Sequence, residues 1–93
     1  MCKIEKLQMG INKDIFLKQD EKKSFILPSD NCYLKIEVKE AGQGIQYSMK
    51  IHDGRGNGNG IVVDLKQKSV RASASFLDLE SYKGDLTIDI EIN

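Results

Sequence analysis

The chain has no tryptophan, one proline, one histidine and two cysteines, and its 14 basic side chains are matched by 14 acidic ones. Each scarcity removes a class of function. A hydrolytic triad needs a base, and the sole histidine, His52, falls on the wet face of a predicted strand beside a glycine-rich stretch. The same count leaves a Cys/His metal set incomplete, so no cofactor is expected. Cys2 and Cys32 could pair once, but in a reducing compartment they stay free, with Cys32 a small core residue. Zero net charge supplies no long-range field for nucleic acid or an anionic membrane surface, and neither is expected as a partner. No apolar run approaches a membrane span or a signal-peptide core, which makes the cytoplasm the expected location. Carboxylate pairs such as Asp89 and Glu91 share a solvent-facing strand side where nothing raises a pKa, so they read as solubilising charge. The inventory points away from an enzyme.

What is present is alternation with a period of two. A chain of 93 residues has room for one core, and residues 1–93 read as a single domain. Cys32, Leu34, Ile36 and Val38 share one face of a predicted strand, with Lys35, Glu37 and Lys39 on the other. Ile45, Tyr47, Met49 and Ile51 oppose Gln46, Ser48, Lys50 and His52 in the same way, and Leu86, Ile88, Ile90 and Ile92 oppose Thr87, Asp89 and Glu91. Weaker patterns predict strands over Ile4 to Ile11, Ser24 to Leu27, Ile61 to Leu65 and Val70 to Phe76. Between Asn12 and Lys23, one helical turn capped by Asn12 or a strand through Ile15 and Leu17 both fit, the strand slightly better. Turn residues punctuate the scheme at Pro28 to Asn31, Ala41 to Gly44, Gly54 to Gly60 and Lys83 to Asp85. About seven short strands with no helical period between them predict an all-β fold, an antiparallel jelly-roll-like sandwich with at most one helical turn.

The most unusual stretch is Asp53-Gly54-Arg55-Gly56-Asn57-Gly58-Asn59-Gly60. Its glycines could turn backbone N–H groups toward an anion or free carbonyls toward a cation. As a calcium loop it offers Asp53, Asn57 and Asp64 around the turn glycine Gly58, but Arg55 stands in a ligand position and the flanks are strands. As a phosphate cradle it lacks the Lys-Ser/Thr ending and the following helix. The plainer expectation is a hairpin connection that presents Arg55, Asn57 and Asn59 to a partner. Charge is also uneven: residues 50–71 hold five basic side chains against Asp53 and Asp64, and residues 78–93 hold five acidic ones against Lys83. Such opposed patches can steer a partner or a second copy.

Three segments resemble a known group: Lys23-Ser24-Phe25-Ile26-Leu27-Pro28, Leu34 to Val38, and Tyr47 to Gly54 are similar to the non-catalytic jelly-roll modules appended to secreted peptidases, the pre-peptidase C-terminal-like domains. The closing Phe76-Leu77-Asp78-Leu79-Glu80-Ser81-Tyr82-Lys83-Gly84-Asp85-Leu86 resembles galactose-binding and other carbohydrate-binding jelly rolls, where a Leu-x-x-Tyr-x-Gly corner leads into the last strand. The resemblance implies a β-sandwich and a binding role, with Tyr82 as a corner residue tying down a loop. Saccharide sites favour exposed aromatic platforms, and Tyr33 alone stands on a wet strand face.

Three functions follow as expectations. The first is a non-enzymatic protein-interaction, inhibitor or adaptor module that self-associates or binds a protein partner; an excess of 12 lysines over 2 arginines, with 11 isoleucines, suggests an AT-rich phage or mobile-element source. The second is a jelly roll binding carbohydrate or another small ligand, and the third a self-assembling structural subunit. The expected contact surface is Asp53, Arg55, Asn57 and Asn59 together with the polar strand face of Lys35, Glu37 and Lys39.

Overall fold

Strands that alternate apolar and polar residues can each bury only one side, and here two sheets turn those sides toward each other. The computed structural model describes residues 4–55 and 58–93. Among the described residues there are nine strands and no helix: β1 (Ile4–Lys6), β2 (Gly10–Leu17), β3 (Lys22–Ile26), β4 (Cys32–Ala41), β5 (Tyr47–His52), β6 (Gly58–Val63), β7 (Gln67–Ala72), β8 (Phe76–Ser81) and β9 (Leu86–Ile92). One sheet has the order β1-β3-β8-β5-β6 and the other β2-β9-β4-β7. Neighbours are antiparallel except β1, which lies parallel to β3.

The three cleanest alternations form the centre of the sandwich. Leu34, Ile36 and Val38 on β4 meet Ile92, Ile90 and Ile88 on β9, while Met49 and Ile51 on β5 meet Leu79 and Leu77 on β8. Phe25, Leu17 and Tyr47 complete a continuous core whose largest side chains are fully buried. The free thiol of Cys32 is buried in it, and that burial raises its pKa. Cys2 lies outside the described residues.

Several boundaries differ from the sequence reading, each for a physical reason. Nine strands replace about seven because two apparent strands are split by crossings between the sheets. Ile4 to Ile11 is not continuous: Leu7 turns into the core at the crossing, leaving Met9 and Ile11 exposed. Val70 to Phe76 is likewise divided, with β7 ending at Ala72 and β8 starting at Phe76 in the other sheet. Alternation continues through such a crossing, so pattern alone cannot locate it. The ambiguous segment after Asn12 is a strand, and it carries a register shift between Asn12 and Ile15 with Asp14 at φ 59°. Ile61 to Leu65 shifts to Gly58–Val63, drawing half of the glycine stretch into β6.

Candidate functional site at the open sandwich edge

The β1 and β2 edges are bridged by residues 7–9, where Leu7 plugs the gap between the sheets. At the opposite side, residues 64–66 carry the chain from β6 to β7, and Leu65 is 57% exposed. A cleft of about 420 Å³ lies on this side of the sandwich, toward the β5–β6 connection and the turn from β7 to β8. Met49, Ile51, Ile61, Val70 and Ala74 give it an apolar lining, with Asp53, Gly58, Arg71 and Ser73 as its polar and backbone margin. Ile61 stands opposite the buried Met49, an inward position, yet is 39% exposed, and Val62 beside it is 63% exposed. A mostly apolar cavity of this size with a few polar groups can hold one or two side chains or a small ligand.

The polar margin is ordered by local hydrogen bonds. Arg71 donates from Nε and Nη2 to the Asn31 side-chain oxygen at 3.2 and 3.0 Å, which aims the guanidinium along the outer face of β7. The Arg55 N–H donates to Asp53 Oδ1 at 2.8 Å, and the Gly54 N–H to His52 Nδ1 at 3.1 Å, a pair of short ties at the base of the β5–β6 connection. Gly54 has φ +82°, and a Cβ there would approach the Phe76 ring to 2.9 Å, so the turn needs glycine.

His52 is not the surface residue that its strand face suggests. It is largely covered by the Phe76 ring, stacked at 5.4 Å and 17°, and its Nε2 lies 3.2 Å from Asp78 Oδ2. Burial pushes the Asp78 carboxyl up, but its polar contacts with Ser24 and His52 and the charges of His52 and Lys22 outweigh it, so its pKa is lowered. Histidine, aspartate and serine thus meet, but in the wrong order for a triad. Asp78 stands between His52 and Ser24, and Nδ1 is occupied by the Gly54 N–H, so neither imidazole nitrogen reaches the serine hydroxyl.

The structure separates the two halves of the surface expected from the sequence. Lys35, Glu37 and Lys39 lie on the outer face of the second sheet, whereas Asp53 and Arg55 belong to the β5–β6 connection of the first. Lys35 faces Glu91 across the strands, and Glu37 accepts from Gln67. Lys39 sits at the β4 register shift, donates to Asp14 at 2.6 Å and lies 3.8 Å from Asp89. That contact lowers the Asp14 pKa and raises that of Lys39. On this face Glu37 and Lys39 thus have partners within the sheet. Asn57 lies outside the described residues, and Asn59 falls within β6. Asp53 and Asp64 are at opposite ends of β6, roughly 20 Å apart at about 3.3 Å per residue, so they do not share a cation. Tyr82 does not tie its corner through the ring, which is exposed; the buried Ser81 hydroxyl donates to the Gly84 carbonyl at 2.6 Å, and the Gly84 N–H donates to Gln19 Oε1 at 3.0 Å.

The cleft residues Met49, Ile51, Ile61 and Val70 were legible only as core positions, because alternation marks a side as inward without saying whether anything covers it. Neither a family model nor a curated protein sequence matches the chain. Among solved structures, the pre-peptidase C-terminal domain of a collagenase from Bacillus anthracis matches with a TM-score of 0.56 at 14% identity, covering 100% of this chain and 97% of that one. The likeness extends over the whole sandwich, so this chain has the fold of a pre-peptidase C-terminal-like β-module.

Proposed function

We propose that this chain is a non-catalytic binding module that engages a protein partner, and that the β6/β7 edge is its contact surface. One observation carries the reading: the inward-facing Ile61 of the β6 edge strand is 39% exposed over a cleft whose lining is mostly apolar. Apolar surface gathered in one place with a polar margin is the usual mark of a contact site. The fold supports it by likeness, since the solved neighbour is a domain of a larger enzyme. The arrangement of His52, Asp78 and Ser24 supports the non-catalytic half. A phage or mobile-element source, suggested by the lysine excess, would make the partner a host or phage protein, and the neighbouring genes test it.

The experiment is affinity capture from the source cells with the tagged chain, beside Ile61→Asp and a Lys35→Ala/Glu37→Ala double variant. A stoichiometric protein lost with Ile61→Asp and retained by the double variant is the expected result. Equal retention by Ile61→Asp contradicts the site, and no retained protein at all contradicts the reading.

A second reading, binding of carbohydrate, is favoured by Tyr33, which is 52% exposed on the outer sheet face directly across from Arg71. An aromatic face beside a polar fork can seat a sugar ring. A glycan-array signal that disappears in Tyr33→Ala would favour it over the protein reading.

A further inference from the structure

Each sheet of an open sandwich has two edge strands, and an edge is safe from pairing with other chains when it carries charge, a bulge or an inward-pointing lysine. Three of the four edges here are so protected. β1 carries Glu5 and Lys6, and β2 is broken by its register shift and carries Lys13 and Asp14. β7 carries Arg71 and turns Lys68 inward, opposite the buried Ile36. β6, Gly-Asn-Gly-Ile-Val-Val, has no charged residue and no proline over six residues, and among the described residues it pairs with β5 alone. Gly60 has no structural need to be glycine: a Cβ there would meet only Lys50 Cβ at 3.9 Å and Met49 O at 4.0 Å. A glycine inside a strand with room for a side chain suits the close approach of another backbone.

Resting on the binding-module reading above, we infer that β6 accepts an extended segment of a partner chain by strand addition, with an aliphatic side chain of that segment entering the cleft and carboxylates flanking it. Strand addition takes affinity from main-chain hydrogen bonds along the edge and selectivity from pockets that receive alternate side chains. The cleft lined by Ile61, Met49 and Val70 lies directly beside the β6 edge, where such a side chain would point. The charge selects the occupant. The stretch from Lys50 to Arg71, which contains β6 and both of its connections, has five basic side chains against two acidic ones. A second copy joined through β6 would set this surplus against itself, whereas an acidic segment complements it.

The test is a random peptide library panned against the immobilised full chain, followed by titration and amide hydrogen exchange with a selected peptide. Expected are sequences alternating apolar and acidic residues that slow exchange across Gly58–Val63. Affinity should fall as salt is raised, and by about tenfold or more in both Ile61→Asp and Arg71→Glu. Arg71 is exposed, so its variant stays informative if Ile61→Asp perturbs folding. Basic or patternless sequences overturn the inference, as does a library that yields no binder. Protection of another surface overturns it while leaving the binding-module reading in place. A dimer of the chain alone with β6 protected assigns the edge to a second copy and overturns it too.

Discussion

The Ser81 hydroxyl is fully buried and its one bond, to the Gly84 carbonyl at 2.6 Å, holds the corner before β9. Ser81→Ala leaves that carbonyl without its donor and should cost about 1–2 kcal/mol, read from urea denaturation. Tyr47 presents the opposite case. Its ring is fully buried, its hydroxyl has no hydrogen-bond partner among the described residues, and burial pushes its pKa up to about 12. Removing an unmatched buried hydroxyl while keeping the ring should leave stability unchanged or raise it by about 1 kcal/mol, so Tyr47→Phe should melt at or above the wild-type temperature. Asp78 adds a pH dependence. Its folded pKa lies below the ordinary aspartate value, so its contribution is present above the unfolded pKa and is lost as pH falls through the folded one. The urea midpoint of the wild type should fall between pH 5 and pH 2.5 more than that of Asp78→Asn, and equal slopes would contradict the assignment. None of these three roles was legible in sequence. Ser81, Tyr47 and Asp78 sit at ordinary alternating positions, and what distinguishes them is the partner, or lack of one, brought by another strand.

At the scale of elements, the β5–β6 hairpin makes a sharp contrast between two glycines two residues apart. A Cβ on Gly58 would lie 2.4 Å from the Ile51 carbonyl oxygen and 2.6 Å from His52 Cβ, backbone and near-backbone atoms that cannot yield cheaply, whereas Gly60 is open. Gly58→Ala should therefore destabilise the domain by about 1–3 kcal/mol, and Gly60→Ala should stay within about 0.5 kcal/mol of wild type. Thermal melting of the two variants side by side checks this. The four glycines of residues 54–60 looked alike in the sequence, since composition cannot separate a turn glycine from a strand glycine. Strands with clean alternation, β4, β5 and β9, were legible almost to the residue because one face of each turns toward the core. The shifts at Asp14 and Lys39 were not, although they face each other across β9 and are joined there: the Asp14 N–H donates to Asp89 Oδ1 at 2.9 Å. Bulges depend on what the neighbouring strand offers, which one strand's sequence does not contain.

For the whole molecule, the sandwich class was legible because seven or nine short alternating segments without a helical period admit few other architectures. The proposed contact edge was not, because it depends on which strands end up outermost and on how far the facing sheet covers their inward positions. Lys35, Glu37 and Lys39 drew attention through their charge, yet Glu37 and Lys39 find partners within the second sheet, while the uncharged β6 has, among the described residues, no strand partner beyond β5. The most direct measurement of the central claim is amide hydrogen exchange on the chain alone and in complex with the protein it captures from its source cells. The account predicts strong new protection confined to Gly58–Val63 and the facing residues of β7. Unchanged exchange at β6, with protection over β4 and β9 instead, would contradict it.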